Sequence, residues 1–103
     1  MKGISWNCQG LAKSRKFEFI HELINKENID FISLQETNKK EFDQNWLLAI
    51  SGNKNFKWIS APPNGRSGGL LIGLNADTFE IRGYQVQDFM IICKIVQKDK
   101  NWA

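Results

Sequence analysis

The chain is poor in several things, and each shortage excludes something. Cys8 and Cys93 are the only cysteines in 103 residues, too few for a disulfide framework or a zinc site, which suits a reducing interior. No stretch reaches the ~18 apolar residues that a membrane span needs. Trp6-Asn7-Cys8-Gln9-Gly10 breaks the first apolar stretch too early for a signal peptide, so an intracellular setting is expected. His21 is the only histidine, and no nucleophile or acid stands near it in sequence; it reads as packing inside a helix. The excess of one charge is small, 14 basic against 11 acidic residues. All of it lies in residues 51–103, with seven basic and four acidic side chains against seven of each in residues 1–50. A mildly basic half suits an anionic partner such as nucleic acid, and solvated lysines explain it equally well.

What is present is an ordinary globular composition, 42% hydrophobic and 12% aromatic, without repeats or linkers, so the chain reads as one unit. Residues 4–7 alternate as a short strand beginning near Met1. Phe17, Ile20, Leu23 and Ile24 recur at helical spacing from an N-cap at Ser14, and the helix ends near Asn28. Residues 29–35 form a buried strand. Residues 41–50 form a second helix, with Phe42, Trp46 and Ile50 on one face. Strands follow at 56–61, 68–74, 79–87 and 89–96, with Pro62-Pro63-Asn64-Gly65 as a loop. The continuous apolar run at 68–74 suggests a central strand. The order is βαβα and then a meander of strands, an α/β arrangement with a mixed sheet. If the first two strands are parallel, Asn7 and Glu36 share the carboxyl edge of one sheet, where α/β folds gather ligands.

Glu36, held by a rigid strand end, can bind a hard cation such as Mg²⁺ together with waters and a substrate phosphate. It can equally be an acid capping the next helix. Asn7 can orient a phosphate or a metal-bound water, or simply hold a turn. In Gly65-Arg66-Ser67-Gly68-Gly69 the glycines permit close backbone approach, and Arg66 can pair with a phosphate. This is no P-loop, because it leads into a strand and lacks the Gly-Lys-Ser/Thr ending. Cys8 reads as a small apolar filler. Trp6, Trp46 and Trp58 read as core, whereas Trp102 follows a polar, turn-like stretch.

Three segments together carry a resemblance: Ile4-Ser5-Trp6-Asn7-Cys8-Gln9-Gly10-Leu11, Phe31-Ile32-Ser33-Leu34-Gln35-Glu36-Thr37 and Gly65-Arg66-Ser67-Gly68-Gly69-Leu70-Leu71-Ile72. In this order they resemble the endonuclease/exonuclease/phosphatase family with its DNase-I-like fold. The Gly-Arg-Ser-Gly-Gly form looks most like the endonuclease domains of plant non-LTR (LINE-type) retrotransposons. The resemblance implies a four-layer α/β/β/α sandwich and a phosphodiesterase that cleaves DNA with Mg²⁺ or Mn²⁺, acting in the nucleus. It implies that Glu36 is a metal ligand, that Asn7 supports metal and phosphate, and that Arg66 and Ser67 contact DNA. A phosphatase of the same fold is the alternative on the same residues. Gln9 stands where an Arg or Asn is often found.

The family's later motifs, a Tyr, an Asp-x-Asn and a terminal Ser-Asp-His, have no counterpart: His21 is in the wrong segment and Tyr84 comes too early. The resemblance therefore implies that residues 1–103 are a partial domain, the N-terminal half of the sandwich. A catalytically inactive remnant that binds DNA or protein is then the competing expectation. A half-sandwich would also leave a sheet face uncovered, with residues from the 68–74 and 89–96 strands. If ~500 Å² of apolar surface stays wet, roughly 12 kcal/mol of burial is missing, comparable to a domain's whole stability. Pairing with another chain, with the missing half, or aggregation is expected.

Overall fold

A computed structural model describes residues 2–11, 14–64, 68–87 and 90–98. Its elements run β1 (Gly3–Asn7), α1 (Ser14–Lys26), β2 (Phe31–Gln35), α2 (Gln44–Ser51), β3 (Phe56–Ala61), β4 (Leu70–Asn75), β5 (Phe79–Gln87) and β6 (Met90–Gln97). One sheet has the order β1-β2-β4-β3, and β5-β6 form a separate two-stranded sheet. Only β1 and β2 pair in parallel; β4 runs antiparallel to both β2 and β3. The strand at 68–74 is central, as its apolar run predicts. The later strands do not form one continuous meander, because β4 inserts between β2 and β3.

Residues paired in register share a face. Ile4, Trp6, Ile32, Leu34, Leu71, Gly73 and Trp58 therefore lie on one side of the sheet. The helices cover that side: Ile20 and Ile24 of α1 and Ile50 of α2 are wholly buried with Ile32 and Leu34. Each such side chain contributes about 2 kcal/mol of burial. Trp6, Trp46 and Trp58 pack against this core while staying partly exposed. Gly73 is glycine because a β-carbon there would lie 2.5 Å from the Trp58 ring, which crosses over it.

One helix start differs from the sequence expectation. α1 begins at Ser14, whose side chain lies outside what is described. The second helix begins at Gln44 instead of residue 41, because the Asp43 side chain accepts a hydrogen bond from the Asn45 amide and sets the cap there. Phe42 keeps its apolar contact from outside the helix, 5.5 Å from the Trp46 ring. His21 joins the helices as packing: its Nδ1–H donates to the carbonyls of Ala49 (3.0 Å) and Ile50 (3.1 Å).

On the other face of the sheet Ile59, Ala61 and Leu74 are buried with Phe79 at the root of the hairpin. A cleft of about 410 Å³ lined by Lys57, Ile59, Leu74, Ile81 and Tyr84 opens beside them. Asp30 fastens this junction. Its carboxylate accepts from Thr78 Oγ1 (2.9 Å) and Asn75 Nδ2 (3.3 Å), and its carbonyl accepts from the Asn75 amide (2.8 Å). Beyond the root the hairpin carries Tyr84, Val86, Met90, Ile92, Ile95 and Val96 exposed, and a bulge between Ile81 and Gly83 shifts its register. The described elements thus make a helix layer, a mixed sheet and a second small sheet, a mixed α/β arrangement. The stretch from residue 99 onward, including Trp102, lies outside the described residues.

Candidate functional site

The parallel register pairs Asn7 with Gln35, so Glu36 follows directly beside the end of β1. Past the strands the two backbones stay joined. Cys8 N–H donates to Gln35 O (2.9 Å), Gly10 N–H to Glu36 O (2.6 Å) and Leu11 N–H to Thr37 O (3.0 Å). From the opposite side, the Thr37 amide donates to Gly69 O (3.3 Å) and the Asn38 amide to Gly68 O (2.6 Å). Glu36, Thr37 and Asn38 are thereby braced between the β1–α1 loop and the lead-in to β4. Backbone from each of the three segments singled out in the sequence meets at this one edge.

The bracing holds unusual conformations. Gln9 (φ 49°), Glu36 (φ 55°) and Asn38 (φ 56°) are left-handed non-glycine residues, and Gly10 and Gly69 beside them also have positive φ. A left-handed side-chain-bearing residue costs energy and persists where its surroundings over-determine it, a pattern concentrated at functional sites. Glu36 does not cap a helix, because the next helix starts eight residues later with Asp43 as its cap. Asn7 makes no side-chain hydrogen bond to any described residue, so backbone amides and Lys16 hold the turn instead. Both side chains are exposed at the edge.

Three neighbours complete the edge. Lys16 reaches from α1 to the carbonyls of Cys8 and Gln9, fixing the loop that follows Asn7. Asn38 places its amide between Gly10 and Gly68. Thr37 is wholly buried, and its hydroxyl has no hydrogen-bond partner among the described residues. Sequence reasoning missed Lys16 and Asn38, since neither belongs to a spacing pattern; their roles follow from tertiary contacts. Cys8 is buried as expected, and its thiol contacts Gln35 O at 3.1 Å. Burial pushes that thiol above its ordinary 9.0, against the opposing pull of backbone hydrogen bonds and of Lys16. Arg66 and Ser67 lie outside the described residues, so their expected DNA contacts have no geometry here.

A family model for the endonuclease/exonuclease/phosphatase family matches residues 4–98, nearly the whole chain. The chain belongs to this family. No curated protein matches it. Membership makes the fold that of a phosphodiesterase- or nuclease-type hydrolase, and the family is generally dependent on a divalent metal. The donors at the edge suit a hard cation: Glu36 offers one carboxylate and Asn7 an amide oxygen. No group of three His, Cys, Asp or Glu comes together among the described residues. A metal here would therefore take its remaining oxygens from water and substrate phosphate, a carboxylate-poor set that Mg²⁺ accepts. No described helix is long and apolar enough to cross a membrane.

Proposed function

We propose that this chain is the part of a LINE-type endonuclease that holds metal and phosphate, acting on DNA phosphodiesters with Mg²⁺ or Mn²⁺. The observation that carries the proposal is the braced, left-handed Glu36 beside Asn7 at the carboxyl edge of two parallel strands. Bound there, the metal supplies electrostatic stabilisation of charge on the phosphate. Glu36 supplies its carboxylate, Asn7 orients a phosphate or water, and Arg66 with Ser67 contacts the DNA strand. The substrate places the activity in the nucleus. The resemblance in Gly-Arg-Ser-Gly-Gly favours the endonuclease over a phosphatase of the same fold.

The test is nicking of supercoiled plasmid by purified chain with Mg²⁺, beside Glu36→Ala and a chelator control. Cleavage that needs both Glu36 and metal supports the proposal. A soluble, folded chain that leaves plasmid intact overturns cleavage by residues 1–103 alone and favours the second reading below.

One observation favours a second reading, a remnant that binds without cutting. The resemblance implies histidine-assisted cleavage, and the histidine within residues 1–103, His21, has Nδ1 committed to carbonyls at the end of α2. On that reading the chain binds DNA in a salt-sensitive way, and Glu36→Ala leaves the binding intact.

A further inference from the structure

Beside the Asn7 edge, on the helix side of β1, Trp6, Arg15, Lys16 and Phe19 line an open groove of about 440 Å³. Its aromatic wall is unusual for a surface. Phe19 is 49% exposed and meets the partly exposed Trp6 edge to face, with ring centroids 5.4 Å apart. The pair presents aromatic surface to solvent beside the core contact of Trp6. The other wall is cationic. Arg15 is exposed and has no carboxylate within ion-pair distance among the described residues. Lys16 spans the distance to the site itself, since it holds the carbonyls of Cys8 and Gln9 immediately after Asn7. Neither cation is where helix stability would put it. The first turn of α1 carries no acid, and cations there oppose the helix dipole.

We infer that this groove is a nucleotide subsite for single-stranded nucleic acid, with a base against Trp6 and Phe19 and the adjoining phosphate at Arg15 and Lys16. Aromatic faces accept any base by stacking, and cations beside them track the backbone, the pattern of sequence-tolerant strand binding. An apolar partner would need no cations here, and an acidic peptide would need no exposed ring pair. The choice of nucleic acid over other anions rests on the proposed phosphodiester site next door. Lys16 lines the groove and also holds the carbonyls of Cys8 and Gln9, so the groove adjoins the loop that follows Asn7.

The test is fluorescence anisotropy of a labelled oligothymidylate with the full chain, in a chelator so that no cleavage intervenes. Phe19→Ala is expected to weaken binding roughly tenfold with the salt dependence unchanged, and Phe19→Trp to retain affinity. Arg15→Gln is expected to weaken it and to make the log–log salt slope shallower by about 0.7. Both side chains are exposed, and circular dichroism checks that the variants fold. The inference fails if the chain does not bind the oligonucleotide, or if both variants bind like the parent. It also fails if an abasic strand of equal length binds as tightly, or if polyglutamate displaces the strand as readily as unlabelled DNA does. Plasmid nicking separates this from the active-site proposal. Variant-sensitive binding without Glu36-dependent cleavage keeps the groove and removes the nuclease; the reverse result removes the groove alone.

Discussion

The α-carbon of Glu36 lies 2.9 Å from the point where a β-carbon on Gly68 would sit. The Asn38 amide oxygen is equally close to that point, so no side chain fits between the lead-in to β4 and the segment bearing the carboxylate. Gly68→Ala must push the Glu36 backbone or break the 2.6 Å hydrogen bond from the Asn38 amide. The expected cost is about 1–3 kcal/mol in urea unfolding. Plasmid nicking should fall further than the lost folded fraction explains, because the carboxylate itself is displaced.

Glu36 should be worth more to activity than to stability. Its φ of 55° suits glycine, and removing the β-carbon there relieves roughly 1 kcal/mol. Glu36→Gly should therefore leave the melting temperature unchanged or raise it by a few degrees, about 4–8 °C per kcal/mol for a chain of this size. Metal-dependent cleavage should disappear in the same variant. A clear drop in melting temperature would make Glu36 a structural residue.

Cys8 should register as an alkaline weakness. Its thiol is raised by burial above 9.0, so the folded state keeps the proton that the unfolded chain gives up. Its contribution to stability is then fully present below about pH 9 and is lost as pH rises from there through the folded value. Urea midpoints from pH 7 upward should fall less steeply for Cys8→Ala than for the parent. The Cys93 thiol is also raised by burial, so Cys93→Ser is the matched control.

The outer hairpin should govern solution behaviour. Tyr84 is 59% exposed and Ile92 49%, and β5 and β6 pair with no third strand among the described residues. Free strand edges with apolar side chains recruit other chains. Val86→Lys with Ile92→Lys should lower concentration-dependent association in sedimentation velocity without changing the melting temperature by more than a degree or two.

Much of this was legible in the sequence, for identifiable reasons. The strands at Phe56–Ala61 and Phe79–Gln87 emerge because apolar alternation and turn residues bound them on both sides. Asn7 and Glu36 could be placed together because each ends a strand of a βαβ unit, and such strands run parallel. Strand order was hidden, since nothing local tells β4 to insert between β2 and β3. The start of α2 was misplaced because Phe42 continues the helical period, whereas Asp43 decides the boundary through one side-chain hydrogen bond. The left-handed backbone at Glu36 was invisible too, for it is imposed by partners from residues 8–11 and 68–69.

The Asp30 junction also shapes the folding kinetics. The β5–β6 pairing is local and can form in ~1–10 μs, whereas the mixed sheet must first join segments distant in the chain. Asp30 joins β2, β4 and the turn at Thr78, so its bonds are expected to complete late in folding. Asp30→Ala should then lose about 2 kcal/mol, nearly all of it as faster unfolding with the refolding rate unchanged, which stopped-flow measurement separates. On that outcome Asp30 governs how long the native state lasts, and the sheet how quickly it is reached.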